Sequence, residues 1–374
     1  MEARSYMKKD FDSKSKIEYV DREEVESPNV AREKKLRKAK NRRVMNTLDR
    51  IFGFMLATVL VVGCAGLGLL YVLERGPSEA LTNMFVRTMQ ETRRFDFMAN
   101  IFLTESEVAE MRATQNSSTI KDFDSSLIKI ASADETATDT PSTYAEDEDG
   151  DGIIFEEISG SGYTGYLITV LDPKRIILGA PDNYGSVGLT LEEMVNKYDA
   201  LGGINAGGFQ DEGGSGLGGV PEGLTLVDGK SVGKTSDTSI FVGFDDDGLM
   251  YVGYFDAWSA EQNNIHNGVS FGPILIMNGE PVDANSLPSG VNPRTSIGQR
   301  ADGAVLMLVI DGRQVHSMGA TYADCQNIML DHGAVNAINM DGGSSTSMYY
   351  DGEYVNRNSS QHGARPLPSA WLFK

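Results

Sequence analysis

Ile51 to Leu73 is 23 residues long and carries no formal charge, and no other stretch limits the fold of this chain so firmly. As a helix rising about 1.5 Å per residue, it spans the roughly 30 Å hydrocarbon layer of a bilayer. Fifty residues precede the run, too many for the charged leader of an ordinary cleaved signal peptide, so the sequence predicts an uncleaved anchor. Residues 31–50 hold nine Lys or Arg and residues 74–93 hold three. That imbalance places the N-terminus in the cytoplasm and the C-terminal part outside a single-pass cell-membrane protein. Val61-Val62-Gly63-Cys64 resembles a lipoprotein processing box, but the apolar run continues to Leu73 where a processed lipoprotein turns polar.

Charge divides along the same line. Residues 1–50 carry 15 basic and 10 acidic side chains, leaving 18 basic and 43 acidic beyond them. An outer part this acidic argues against a nucleic-acid partner. The basic tail reads as a solvated topogenic run that also suits anionic headgroups. Cys325 is the one cysteine outside the apolar run, so the outer part has no internal disulfide and depends on its core.

From Ser78 to Met111, apolar residues including Leu81, Met84, Phe85 and Met89 recur at helical spacing. Residues 74–111 are expected to form a helical stalk that could also join two copies. Residues 112–150 lose this period, become rich in Ser, Thr, Ala and acidic side chains, and read as a flexible linker. At its end, Asp147, Asp149, Asp151 and Gly152 copy the start of a calcium loop, but Ile158 stands where the twelfth-position carboxylate belongs. An acidic linker ending in a turn accounts for the same residues. The folded ectodomain is expected over 151–374.

There the chain reads as short strands: Tyr166–Leu171, Leu224–Val227, Ser239–Phe244, Ile274–Met277, Val305–Ile310 and Ser347–Tyr350. Five are followed by Asp-Gly or Asn-Gly, the dipeptides that favour the left-handed turns of hairpins. Two helices have their starts written as capping boxes: Thr190 with Glu193 ahead of Leu191–Asp199, and Thr321 with Asp324 ahead of Tyr322–His332. Gly202 and Gly333 are the expected stops. The expected fold is α+β, a mixed, mainly antiparallel sheet with a few helices, preceded by one N-terminal transmembrane helix.

Each helix leads into a short apolar strand and a polar glycine turn, first Ile204-Asn205-Ala206-Gly207-Gly208-Phe209, then Ile338-Asn339-Met340-Asp341-Gly342-Gly343. Two such strand ends lying side by side would form one pocket. Glycine there lets a ligand approach bare backbone, and Asp341, Ser344, Ser345 and Thr346 supply acceptors and donors. A polar hairpin turn explains the second stretch equally well in isolation. Between the two lies Asn292-Pro293-Arg294-Thr295-Ser296-Ile297-Gly298, whose arginine offers a rigid fork suited to phosphate. A lone arginine is more commonly a surface ion-pair partner.

Taken together, and in order, Asn205–Phe209, Asn292–Gly298, Asp311-Gly-Arg313, Gly319-Ala-Thr321 and Asn339–Thr346 resemble the phosphodiester glycosidase family. That family is related to the lysosomal enzyme that removes N-acetylglucosamine from a phosphodiester to uncover mannose 6-phosphate. The resemblance runs from about Asp151 to Phe373. It implies hydrolysis of a sugar-1-phosphodiester in bacterial envelope glycans or exopolysaccharide, with Asp341 and Arg294 catalytic. It implies substrate contacts from Asn205, Gly207, Gly208, Thr295, Asn339, Gly342, Gly343, Ser344 and Ser345. Ser344 stands where the family often has a third glycine. A non-catalytic glycan-binding or scaffold module of envelope assembly is the alternative.

Other chemistries fit poorly. Gly229-Lys230-Ser231-Val232-Gly233 matches G-x-S-x-G but follows a hairpin dipeptide and lacks a strand-to-helix turn. The two Gly-Lys-Ser/Thr triplets, starting at Gly229 and Gly233, would need their leading phosphate-loop glycines at Leu224 and Asp228. His266, His316, His332 and His362 show no ligand spacing, so the sequence requires no metal or other cofactor.

Overall fold

The computed structural model describes residues 28–91, 96–108, 122–130, 147–185, 187–211, 216–233, 237–283, 287, 289–360 and 363–374. The described residues up to Gly68 form one compact unit and those from Leu69 onward another.

The expected apolar helix is part of α1 (Pro28–Arg75), long and apolar enough to cross a membrane. Within the second unit α2 (Glu79–Glu91) follows, and Val86, Ala99, Leu103 and Val108 bury one another in a small cluster. Glu74, buried, accepts the backbone N–H groups of Phe102 and Leu103 at 2.8 and 3.1 Å, and Arg75 grips Glu107 through both guanidinium nitrogens. Thr88 of α2 accepts the N–H of Val291 at 3.0 Å, so the stretch read as a stalk touches the sheet domain. Residues 122–130, within the expected linker, also dock there. Asn278 brackets Asp122 and Asp124, and Lys129 donates to the carbonyl of Ala301. At the calcium-like turn the carboxylates of Asp147, Asp149 and Asp151 converge, accepting the loop's own N–H groups from Gly150 to Ile153.

Among the described residues, three antiparallel sheets form the framework of the remainder. The first has the order β1 (Ile153–Gly160), β2 (Tyr163–Val170), β13 (Val305–Ile310), β12 (Arg294–Arg300), β14 (Ala334–Asn339), β10 (Ile274–Met277), β11 (Glu280–Pro281). The second runs β16 (Glu353–Tyr354), β15 (Met348–Tyr350), β4 (Gly202–Asn205), β17 (Ala370–Phe373), β3 (Ile176–Gly179). The third runs β6 (Lys230–Gly233), β5 (Leu224–Val227), β9 (Asn267–Ser270), β7 (Ser239–Phe244), β8 (Met250–Phe255).

Alternation explains how they pack. In β13, Val305, Met307 and Val309 enter a core shared by all three sheets, while Leu306, Leu308 and Ile310 face the other way, under α5 (Tyr322–Asp331). Successive strand residues point to opposite faces, and both faces of this strand are apolar because both are covered. Likewise α3 (Leu191–Tyr198) covers the second sheet and α4 (Ala257–Gln262) the third. Trp371, fully buried in the shared core, meets Phe244 edge-on at 5.2 Å. Removing a side chain of that size costs about 3–5 kcal/mol.

Both capping boxes form as expected. The stop of α3 differs: Asp199 itself adopts the left-handed conformation, at φ 51°, and Gly202 opens β4. The hairpin dipeptides also divide. Asp228-Gly229, Asn278-Gly279 and Asp351-Gly352 have positive φ at both positions and join paired strands, and Asp247-Gly248 lies in the longer β7–β8 loop. Asp311-Gly312 makes no hairpin. Its carboxylate is buried and accepts Asn356 Nδ2 and the N–H of Arg357 at 3.2 and 3.0 Å, so the chain leaves β13 into a loop instead.

Candidate active site

The ends of β4 and β14 belong to different sheets, yet they meet. Asn205 donates through Nδ2 to the carbonyl of Asp341 at 2.6 Å, and the N–H of Asp341 donates to the carbonyl of Ala206 at 3.1 Å. The turn after β14 is pinned on its other side by the start of β12: Met340 N–H donates to Thr295 O at 2.8 Å and Gly343 N–H to Pro293 O at 3.0 Å. Glycine is required at both turn positions. A Cβ on Gly342 would lie 2.9 Å from Pro293 O, and Gly343 has φ +62° with the Arg313 guanidinium 3.3 Å from where its Cβ would be.

Above this junction is a cavity of about 300 Å³, within the range of small-ligand sites. Of the residues expected from sequence, its wall includes Asp341, Arg294, Gly208, Asn339, Gly342, Gly343, Ser344 and Ser345. Asn205, Thr295 and Gly207 lie behind the wall. Asn205 and Thr295 are fully buried, with Thr295 Oγ1 donating to Asn205 Oδ1 at 2.7 Å and the Ser347 N–H donating to the same oxygen. The Gly207 N–H donates to Ser369 Oγ. These three residues hold strand ends together.

The wall also carries Arg313, Arg365, Asp211, Glu222, Phe271 and Tyr322, which the sequence reading did not single out as site residues. Arg313 alone had a signal, since Asp311-Gly-Arg313 is one of the family-like motifs. The buried Asp311 described above anchors the loop that brings it in, and Arg313 itself takes φ 59° and donates to Asn292 Oδ1 at 2.9 Å. Arg365 comes from the C-terminal segment. It donates to Ser344 Oγ at 2.8 Å and to Asp211 Oδ2 at 2.9 Å, and stacks over Phe209.

Arg294 is 4% exposed. Its Nε donates to Ala320 O at 3.0 Å, one Nη donates to Gly290 O at 2.6 Å, and its guanidinium lies 4.1 Å from the Tyr322 ring centroid. A planar cation held this way is fixed in direction as well as place. The buried Cys325 thiol is pushed up to about 12, chiefly by desolvation and against the pull of Arg294. It stays neutral at physiological pH, so it is no nucleophile.

Three arginines and three carboxylates thus line one glycine-walled cavity at the meeting of two strand ends. The fold and cavity define an α+β domain with one charged, glycine-walled pocket. Residues 198–374 match the family model of the phosphodiester glycosidases.

The SPbeta prophage-derived uncharacterized protein YomE of Bacillus subtilis (strain 168) is 30% identical over 179 residues, 45% of this chain and 27% of that protein. The chain therefore spans about a quarter of that relative's length. The zebrafish N-acetylglucosamine-1-phosphodiester α-N-acetylglucosaminidase catalytic domain, auto-inhibited by its pro-peptide, is 21% identical with a TM-score of 0.49, covering 59% of this chain and 81% of that one. A hypothetical protein from Synechocystis is 16% identical with a TM-score of 0.48, covering 60% and 62%. A putative exported protein from Burkholderia pseudomallei K96243 is also 16% identical, with a TM-score of 0.44 over 56% and 74%.

Proposed function

We propose that this chain is a membrane-anchored glycosidase that hydrolyses a sugar-1-phosphodiester in bacterial envelope or exopolysaccharide glycans. The observation that carries this reading is the placement of Asp341 on the same cavity wall as Arg294, Arg313 and Arg365. A phosphodiester brings one negative charge, which guanidinium groups both hold and stabilise as it builds on the departing phosphate. Cleavage also builds positive charge at the anomeric carbon, and a carboxylate at that point stabilises it, attacks it or activates water. A phosphate leaving group needs less protonation than a sugar alkoxide, because its second pKa is near 6. Asp341 with the arginines supplies both halves of this chemistry.

In this reading α1 is the anchor, with residues 1–50 cytoplasmic and the sheet domain outside. The deciding experiment is an assay of the detergent-solubilised full chain for release of sugar from UDP-N-acetylglucosamine and from chromogenic sugar phosphodiesters. Product formation abolished by Asp341→Asn supports the enzyme. Saturable binding without product supports instead a glycan-binding module of envelope assembly.

A further inference from the structure

We infer that the cavity is divided into a phosphate side and a sugar side, and that Glu222 determines which sugar is accepted by taking hydrogen bonds from its hydroxyls. The inference rests on the glycosidase reading and assigns an orientation within it. The polar groups of the wall are not evenly mixed. Arg313 stands against Gly343 on the turn after β14, while Arg365 bridges from Ser344 of that turn to Asp211 and Phe209 beyond β4. Glu222 and Phe271 gather on the turn after β4. A Cβ built on Gly208 would lie 2.8 Å from the Phe271 ring and 3.7 Å from Glu222 Oε2.

The two carboxylates Asp211 and Glu222 differ in a way that separates their roles. Asp211 is committed, accepting Arg365 Nη2 and the N–H of Gly216. The Glu222 side chain has no hydrogen-bond or ion-pair partner among the described residues. Its backbone is nevertheless fixed, because its N–H donates to Gly208 O at 2.9 Å, the preceding Pro221 pairs with Phe209, and Gly223 follows at φ +72°.

An exposed carboxylate on a fixed backbone offers several lone-pair acceptor sites. Beside an aromatic ring it matches a sugar, which presents an apolar C–H face and several hydroxyl donors; such pockets combine an apolar wall with a few placed polar groups. The same carboxylate repels phosphate, so it also favours one of the two ways a sugar phosphate could enter. The Arg313 turn takes the phosphate and the Gly208 turn the sugar.

The test is binding of three probes to the detergent-solubilised full chain: N-acetylglucosamine and inorganic phosphate, both by ligand-observed NMR, and UDP-N-acetylglucosamine by calorimetry and turnover. Glu222→Ala, at an exposed position, is expected to weaken N-acetylglucosamine binding about ten- to hundredfold, the equivalent of one charge-assisted hydrogen bond. It should raise KM by a similar factor while keeping kcat, and leave phosphate binding equal or tighter. Arg313→Ala should do the reverse to the two small probes. Unchanged N-acetylglucosamine binding in Glu222→Ala overturns the assignment, as does a fall in kcat at constant KM in Glu222→Gln, which would make the residue catalytic. A parent protein that shows this dissociation of probes but releases no sugar keeps the subsites and loses the glycosidase reading. One that binds neither small probe loses both.

Discussion

Asn205 Nδ2 and the carbonyl oxygen of Asp341 are 2.6 Å apart across the junction of two separate sheets. The amide that makes this bond is completely buried, and its other atom, Oδ1, accepts from Thr295 and Ser347. Asn205→Asp replaces the donor with a second acceptor and introduces a buried negative charge facing a carbonyl. A loss of about 3–5 kcal/mol of unfolding free energy is expected, the range for an uncompensated buried charge. Chemical denaturation measures it, and a change under about 1 kcal/mol would show that the junction does not depend on this amide.

Asp341→Asn tests the chemistry with little change of shape. Thermal unfolding and sugar-phosphate binding should stay as in the parent, while turnover falls at least about a hundredfold, as for loss of an acid–base group. Parent-like turnover in the folded variant would make Asp341 a turn-forming residue only.

Arg294 and Arg313 should respond differently to truncation. Arg294 is buried and bonded to two backbone carbonyls, so Arg294→Ala leaves acceptors unsatisfied and is expected to cost about 2–4 kcal/mol of stability along with activity. Arg313 is exposed and donates from a loop to Asn292 Oδ1, so Arg313→Ala should unfold within about 1 kcal/mol of the parent and lose phosphate affinity. Equal stability losses in the two variants would contradict this division.

Gly290 links α2 to the site. A Cβ there would fall 2.4 Å from the backbone N and Cα of Thr88, while Gly290 O receives the Arg294 guanidinium. Gly290→Ala therefore forces apart α2 and the loop behind Arg294, at about 1–3 kcal/mol. Hydrogen exchange should quicken in residues 79–91 and activity should fall with it. Exchange unchanged over α2 would mean that the contact is dispensable.

Cys325, fully buried with its thiol pushed up to about 12, should resist thiol reagents in the folded protein. The shift favours the neutral form, so raising pH from 7 to 9 creates almost no thiolate, and labelling should remain slow until denaturant is added. Mass spectrometry of the tryptic peptide gives the readout, and fast labelling at pH 8 without denaturant would contradict the burial.

Much of the fold was legible because its signals are local. Capping boxes at Thr190 and Thr321, and dipeptides such as Asn278-Gly279, act within a few residues and formed as expected. Asp311-Gly312 carries the same dipeptide signal but makes no hairpin, because the deciding partners, Asn356 and Arg357, lie some 45 residues away. The site follows the same rule. Asp341 and Arg294 announce themselves by motif, whereas Arg365 earns its place through Asp211, 154 residues distant, a relation that no periodicity encodes. Asn205 and Thr295 sit in motifs for a different reason: they satisfy each other under the cavity floor.

The place of β17 governs when the site comes into being. Ala370 to Phe373 lie between β3 and β4 in the second sheet, and Asn205 is paired with Ala370 more than 160 residues later. As the chain emerges N-terminus first, β3 and β4 must wait, with strand edges unpaired, until nearly all the other strands exist. Pairings this distant in sequence are slow to close, and waiting edges invite mispairing. A chain shortened before Ala370 lacks the strand that pairs with Asn205 beside the cavity.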